Sequence, residues 1–323
     1  MQIVAVDIGG THARFALAEL MPGRVVALGE PVILKTAEHA SLRAAWDCFA
    51  ARLDRPAPRC AAIAVAGPID GEVLKLTNNP WVIRPAQLAS SLGLERYSLI
   101  NDFGAVSHAV VQLEDEHLRH LCGPDLPLPT QGVISVVGPG TGLGVAQILR
   151  RDGRDFIIES EGGHIGFAPV DPIDDAILAH LRRRYPRVSS ERVISGPGFA
   201  QLYEVLAVLE RVAVMPTADE RALWKAAIEG SEDLAARTLE RFCLSLGSFA
   251  GDIALAHGAS AVVIGGGLGL RLADVLPRSG FGTRFTAKGR FERRMAQIPV
   301  KLIVHPEPGL YGAAAAYVKE HLS

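Results

Sequence analysis

An acidic dipeptide at the end of an apolar segment is the first candidate for chemistry in this sequence. Residues 98–103 read SLINDF, so Asn101 and Asp102 directly follow the apolar residues. Open α/β sheets bind their ligands at the carboxyl ends of strands, and an aspartate placed there can accept a proton. The same dipeptide commonly begins a turn or caps a helix. Spacing alone favours neither interpretation.

Two glycine-rich turns repeat one pattern at separate places in the chain. Residues 7–11 read DIGGT and residues 138–142 read GPGTG, and each segment lies between two apolar runs. The pattern predicts a strand, a tight turn and a second strand, whose backbone N–H groups can face a phosphate. Either turn alone could be an ordinary hairpin, but the duplication favours phosphate binding. The candidate residues are Gly9, Gly10, Thr11, Gly138, Gly140, Thr141 and Gly142.

Two charged residues accompany the first of these turns. Asp7 precedes the glycines, and its carboxylate could hold Mg²⁺ through water. Arg14 follows them on the second predicted strand. It is either a further phosphate contact or a solvated strand residue.

Three further motifs could contact a ligand, two of them through polar side chains and one through a glycine backbone. Glu161 and His164 flank two glycines after an apolar strand, and a carboxylate beside an imidazole suits neighbouring sugar hydroxyls. Glu191 follows two serines, where it could bind a ligand or simply stabilise a helix start. Gly265, Gly266 and Gly267 follow a buried strand, and they either admit a flat ring or phosphate or make a tight strand-to-helix turn.

Composition narrows the class of protein. A chain of 323 residues predicts two domains, and 49% hydrophobic with 21% charged residues can fill two cores. A net charge of −2 gives no electrostatic footprint for nucleic acid or an anionic membrane. The four cysteines lack CxxC spacing, which argues against zinc. The start lacks a signal peptide and no apolar run reaches 18 residues, so a soluble cytoplasmic protein is expected.

Periodicity outlines the elements that would position these groups. The first part of the chain is rich in strands, with expected helices at 41–53 and 103–113. Residues 72–77 are expected to pair with the strand 60–66, and the turn 78–81 could line a sugar site or pack internally. A proline-rich stretch at 124–129 predicts a boundary. Four helices are expected in the larger domain, at 174–185, 198–211, 219–229 and 231–257.

Taken in order, these motifs resemble those of bacterial hexokinase-type glucokinases over residues 3 to about 314. They are DIGGTHAR (7–14), INDF (100–103), GPGTGLG (138–144), EGGH (161–164), ERVISGPG (191–198) and GGG (265–267). The resemblance implies an α/β fold of the actin-like, ribonuclease-H-like type, with two lobes around a cleft. The smaller α/β lobe would be 1–112 with 307–323, and the larger α+β lobe would be 113–306.

The resemblance also implies roles for the residues. ATP would be the phosphoryl donor, with Mg²⁺ seated by Asp7, and glucose the acceptor in the first step of glycolysis. Asp102 would be the catalytic base toward the sugar 6-hydroxyl. The glycines 265–267 would lie at the adenosine end of ATP, and the enzyme would be a homodimer. The sugar-binding residues would be Asn101, Asp102, Glu161, His164 and Glu191.

Three other functions are disfavoured. A sugar-responsive repressor would need a DNA-binding region and a basic face. A chaperone-like or polyphosphate-processing ATPase would have no use for the acids at 161 and 191. Sugar kinases with a zinc cluster after the Gly-His motif need cysteines there, and residues 165–169 contain none.

Overall fold

The computed structural model describes residues 1–76, 79–213 and 219–322 and divides the chain into two units. The first comprises Met1–Glu114 with His305–Ser323, and the second comprises Asp115–Val304. The boundaries expected between the two lobes, at residues 112 and 307, stay a prediction.

The first unit contains the strands and helices β1 Gln2–Ile8, β2 His12–Met21, β3 Arg24–Leu28, β4 Val32–Lys35, α1 Leu42–Ala50, β5 Cys60–Val65, β6 Leu74–Lys75, β7 Val82–Ile83, α2 Pro85–Leu92, β8 Arg96–Asn101 and α3 Asp102–Gln112. It is built on a sheet of order β3-β2-β1-β5-β8, in which β4 also pairs with β2. β1 pairs in parallel with β5, and β5 in parallel with β8, whereas β1 and β2 form an antiparallel hairpin.

The second unit repeats this topology with one added strand. Its elements are β9 Leu118–Cys122, β10 Gly132–Pro139, β11 Leu143–Arg151, β12 Arg154–Ser160, α4 Pro172–Leu181, α5 Gly196–Glu210, α6 Glu220–Glu229, α7 Asp233–His257, β13 Ala261–Ile264, α8 Gly266–Arg271, α9 Phe281–Thr286, α10 Glu292–Met295 and β14 Val300–Ile303. Its sheet has the order β12-β11-β10-β13-β14-β9, with β10, β13 and β14 parallel, the hairpin β10–β11 antiparallel and the added strand β9 antiparallel to β14. The repeated glycine turn is therefore part of a repeated sheet.

The last helix, α11 (Pro308–His321), belongs to the first unit and covers one face of its sheet. Its buried residues Leu310, Ala313 and Tyr317 pack with Ile3 and Ala62 of the strands. On the opposite face, Trp46 and Phe49 of α1 form a second core with neighbouring strand residues. Both faces of the sheet are thus covered, as its long apolar strands require.

Most of the expected elements are present, with ends shifted by a few residues. The helices expected at 41–53, 103–113 and 231–257 are α1, α3 and α7. The expected pairing of 72–77 with the strand 60–66 is wrong, because Leu74–Lys75 pairs with Val82–Ile83 in a separate small sheet. Residue 77, like residue 78 of the expected turn, lies outside the described residues. Within the described chain, none of the helices is long and apolar enough to span a bilayer.

Candidate active site

The parallel register of the first unit brings two candidate motifs to one sheet edge. Ile8 at the end of β1 is level with Val65, and Val65 is level with Asn101 at the end of β8. Neighbouring strands lie about 4.8 Å apart, so the glycine turn after Ile8 and the Asn101-Asp102 pair emerge roughly 10 Å apart. This spacing could accommodate a hydroxyl and the phosphate it attacks.

The structure divides the two possible roles of the Asn-Asp dipeptide between its residues. Asn101 is the N-cap of α3, and its Oδ1 accepts from the N–H groups of Phe103 (2.7 Å) and Gly104 (3.2 Å). Its Nδ2 donates to the carbonyl of Gly67 at 3.0 Å. Asp102 begins the helix, and its Oδ1 accepts from Phe103 N–H at 3.0 Å. The cap is therefore already supplied by Asn101.

The turn at 9–11 is closed by its own backbone and held from outside. Gly9 N–H donates to the carbonyl of His12 at 2.9 Å, which leaves Gly10 and Thr11 at the tip. The exposed Thr11 lies with its hydroxyl 2.9 Å from Nδ1 of His12. The carbonyl groups of Gly9 and Gly10 accept hydrogen bonds from Asn79 and Thr36.

Asp7 lies beside this turn in a cluster of three charged side chains. Arg14 contacts both Asp7 (Nη1 to Oδ2, 3.5 Å) and Glu307 (Nε to Oε2, 3.4 Å). Burial raises the pKa of Asp7, against the lowering effect of Arg14. Burial also raises the pKa of Glu307, where Arg14 lowers it and Asp7 adds to the rise. Arg14 therefore pairs with two carboxylates. Because one guanidinium faces two carboxylates, the cluster fits a further cation such as Mg²⁺.

In the second unit, the turn at 138–142 lies against the glycine triplet at 265–267. Gly265 N–H donates to the carbonyl of Val137 at 2.8 Å. Gly266 has a φ of +77°, and a Cβ on it would lie 2.6 Å from the carbonyl oxygen of Pro139. The triplet therefore does make the tight strand-to-helix turn, with Gly265 as the N-cap of α8 and Gly266 as its first residue. It also brings the backbone at the start of α8 against the glycine turn at 138–142.

The second unit also brings Glu161, His164 and Glu191 together. Nε2 of His164 lies 3.7 Å from Oε2 of Glu161, and its Nδ1 lies 4.0 Å from Oε1 of Glu191. His164 and Glu161 are more than half exposed, at 54% and 59%, so a ligand can reach them. Residues 162–164 and 190–192 form short 3₁₀ turns, joined by the hydrogen bond from Ser190 N–H to the carbonyl of Ile165 (2.8 Å).

Glu191 links this cluster to the neighbouring glycine turn. Its Oε2 accepts from Leu143 N–H at 3.0 Å, directly after the turn, and a Cβ on Gly142 would lie 2.5 Å from that same oxygen. Glu191 lies in the first turn of the 3₁₀ helix Ser190–Arg192, as the helix-start interpretation expects, but its side chain reaches across to β11. The candidate sugar and phosphate groups of this unit are thus in direct contact.

The sequence alone did not reveal that Glu307 pairs with Arg14 or that Gly309 lies against Asp7. Glu307 is the N-cap residue of α11, and a Cβ on Gly309 would lie 2.7 Å from Oδ2 of Asp7. A carboxylate against the start of a helix is electrostatically favoured. The run Glu307-Pro308-Gly309 does signal a helix start, but nothing in it indicates the distant strand that it meets. Thr36 was missed for the same reason, and Asn79 was considered only as part of the turn 78–81, without its hydrogen bond to Gly9.

Comparison with known proteins places this geometry in a family. The family profile described as Glucokinase matches residues 4–320. The chain is 61% identical over 321 residues to the glucokinase of Zymomonas mobilis, covering 99% of each chain. The chain belongs to the glucokinase family. The expected ATP-dependent glucokinase activity is therefore confirmed.

Solved structures agree with this assignment. The chain is similar to a glucokinase from an Antarctic psychrotroph, with a TM-score of 0.81, 34% identity and 98% of each chain covered. It shares the fold of a Streptomyces griseus ROK family glucokinase in complex with glucose and AMPPNP, with a TM-score of 0.63 and 19% identity over 98% of this chain and 99% of the other. The expected α/β actin-like fold in two lobes is confirmed.

Proposed function

We propose that this glucokinase transfers the γ-phosphoryl group of ATP to the 6-hydroxyl of glucose, with Asp102 as the base. The proposal is carried by the parallel register, which places Asp102 and the glycine turn 9–11 at one sheet edge, two strands apart. Asp102 would orient the hydroxyl and accept its proton as the oxygen attacks phosphorus. Phosphoryl transfer passes through a loose transition state, so positioning and charge neutralisation supply most of the rate.

The other sugar hydroxyls would be held by Asn101, Glu161, His164 and Glu191. Asn101 has two N–H groups on Nδ2 and uses one for Gly67, so the other is available to a sugar oxygen. The carboxylates accept from hydroxyl groups, and the imidazole can accept or donate. Because Oε2 of Glu191 already accepts from Leu143 N–H, its contact to sugar would be made through Oε1.

The phosphates of ATP would be bound by the two glycine turns. Backbone N–H groups at 9–11 and 138–142, with the hydroxyls of Thr11 and Thr141, are the donors in this proposal. The glycines 265–267 would contact the adenosine end. Asp7 would hold Mg²⁺ through water, with Glu307 nearby, and the ion would neutralise charge on the transferring phosphoryl group.

Further predictions from the sequence concern the location, the metabolic role and the oligomeric state of the enzyme rather than its site. We propose that the enzyme acts in the cytoplasm at the first step of glycolysis, and that it is a homodimer. Sedimentation analysis tests the oligomeric state.

A sugar panel tests the proposed reaction. Purified protein with ATP and Mg²⁺ is expected to release ADP with glucose and to form glucose 6-phosphate. 6-Deoxyglucose, which lacks the attacking hydroxyl, should compete with glucose without being phosphorylated. EDTA should abolish activity and Mg²⁺ alone should restore it. Equal activity on every sugar, activity on none, or a requirement for zinc would contradict the proposal.

A further inference from the structure

Three successive carbonyl groups in the turn 9–11 accept hydrogen bonds from outside the hairpin. Asn79 Nδ2 donates to the carbonyl of Gly9 at 2.9 Å. The hydroxyl of Thr36 donates to the carbonyl of Gly10 at 3.1 Å, and the N–H of Thr36 donates to that of Thr11 at 3.0 Å. Residues from two other loops therefore fix the peptide planes at the tip of this turn.

Fixing a carbonyl also fixes the neighbouring N–H. In a planar trans peptide, the C=O of one residue and the N–H of the next point in opposite directions. Asn79 therefore directs the N–H of Gly10 away from itself, and Thr36 does the same for the N–H of Thr11. These are the two N–H groups at the tip, because Gly9 N–H is already bonded to His12.

We propose that Asn79 and Thr36 are positioning residues for phosphate binding, which orient the N–H groups of Gly10 and Thr11 toward the nucleotide. The inference rests on the proposed function, because it assumes that the turn 9–11 binds the phosphates of ATP. A turn with adjacent glycines has several accessible peptide orientations. Holding one of them before the ligand arrives removes an ordering cost from binding.

Both positioning side chains are themselves firmly held. Thr36 is buried, with 1% of its surface exposed. Asn79 Oδ1 accepts from Trp81 N–H at 2.9 Å, and the indole N–H of the buried Trp81 donates to the carbonyl of His39 at 2.8 Å. A donor with little freedom of its own can fix a peptide plane more precisely than a mobile surface side chain.

The second glycine turn is held in a different way. Backbone N–H groups of Gly196 and Gly265 donate to the carbonyl groups of Gly140 and Val137, each at 2.8 Å. Backbone groups are present whatever the side chain, so substitution changes them little. The first turn, in contrast, depends on the side chains of Asn79 and Thr36 and can be tested by mutation.

Three variants separate the positioning role from simple packing. Thr36→Val removes the hydroxyl at nearly constant shape, whereas Thr36→Ser retains it. Asn79→Ala removes the donor to Gly9 without adding a charge beside the phosphates. We expect Thr36→Val and Asn79→Ala each to raise KM for ATP by roughly three- to tenfold. The KM for glucose and the inhibition by adenosine, which carries no phosphate, should stay unchanged, and Thr36→Ser should resemble wild type.

Thr238→Val is the matched control. Thr238 is also buried and donates to a backbone carbonyl, that of Leu234 at 2.7 Å, but it lies in α7 of the second unit, whereas the turn 9–11 belongs to the first. It should leave KM for ATP unchanged. The inference is overturned if Thr36→Val and Thr36→Ser behave alike, or if KM rises equally for ATP and glucose. If wild-type protein itself neither binds ATP nor phosphorylates glucose, the proposed function fails instead.

Discussion

At the scale of single residues, the division of labour between Asn101 and Asp102 decides how the catalytic proposal can be tested. The cap of α3 rests on Asn101, which accepts from two helix N–H groups. Asp102 accepts from one of the same groups but is not needed to begin the helix. A change at Asp102 can therefore remove the base without removing the cap.

Asp102→Asn should accordingly impair chemistry rather than folding. The asparagine keeps the shape and one acceptor oxygen but cannot take a proton, so kcat should fall by about 10²- to 10⁴-fold. The KM for glucose should change little, because hydrogen bonding to the hydroxyl remains possible. Steady-state kinetics and a melting curve on the same preparation measure both effects.

The control for this variant is Asp47→Asn, which removes an exposed carboxylate paired with Arg43 on α1. Its kcat and melting temperature should match those of wild type. An Asp102→Asn enzyme with full kcat would exclude Asp102 as the base. A loss of kcat that followed a lowered melting temperature would indicate a structural role instead.

The sequence predicted Asn101 and Asp102 as candidate residues, but it did not predict which of them caps the helix. Either member of an Asn-Asp pair can cap a helix, and the choice depends on where helical geometry begins. Similarly, the EGGH motif indicated Glu161 and His164, and the structure adds that Glu191 contacts both His164 and Leu143 N–H. Long-range contacts of this kind leave no local pattern in the chain.

At the scale of secondary-structure elements, an ion cluster joins three helices of the second unit. Asp171, the N-cap of α4, and Asp174 in its first turn pair with Arg241 of α7 and Arg284 of α9. Burial raises the pKa of Asp171, but hydrogen bonds from Arg241 and from Asp174 N–H, with the charges of both arginines, lower it to about 2. Burial raises the pKa of Asp174.

Asp171→Asn should destabilise the protein at neutral pH and less so in acid. Asparagine caps a helix as well as aspartate does, so the loss is that of the charge. A fall in pKa from 3.8 to about 2 corresponds to roughly 2 kcal/mol of folding stability. That stability is fully present above the unfolded pKa of about 4 and is lost as pH falls toward 2. Urea unfolding from pH 7 to pH 3 measures the difference between the two proteins.

Asp175→Asn is the control, because Asp175 lies in the same helical turn but is exposed. It should change the free energy of unfolding by no more than a few tenths of a kcal/mol. A constant difference between Asp171→Asn and wild type across the whole pH range would contradict the assigned charge effect.

Elements with strong periodicity could be predicted, and short ones could not. The amphipathic helix α1 and the buried strands β1, β5 and β10 each carry enough apolar residues to identify them. The two-residue strand Leu74–Lys75 has no such pattern, so its partner was assigned to the strand 60–66 when it is Val82–Ile83. Pairing in so short a strand depends on tertiary contacts rather than on alternation.

At the scale of the whole molecule, the chain begins and ends in the same unit. α11 returns to pack beside α3 and against the first sheet, after the second unit has been completed. Its alanines and glycine permit a close approach, and a Cβ on Gly312 would overlap the carbonyl oxygen of Ala105 and lie 3.0 Å from Ala109 N. The integrity of the first unit therefore depends on a small residue near the carboxyl end of the chain.

Gly312→Ala should weaken the first unit and leave the second intact. The added methyl group must push α11 away from α3, at a cost of about 1–3 kcal/mol, which exceeds the gain in helix propensity. Two of the three tryptophans, Trp46 and Trp81, lie in the first unit, and Trp224 lies in the second. In a Trp224→Phe background, tryptophan emission during urea unfolding reports the first unit alone.

The midpoint of that transition should fall in Gly312→Ala relative to the same background. Gly166→Ala is the control, because the structure places no atom within 4 Å of a Cβ there and Gly166 lies in the second unit. Emission from Trp224, followed in a Trp46→Phe, Trp81→Phe background, should be unaffected by Gly312→Ala. An unchanged midpoint for Trp46 and Trp81 would mean that α11 does not pack against α3 as closely as the structure shows. In that case α11 would not be a structural part of the unit that carries Asp102.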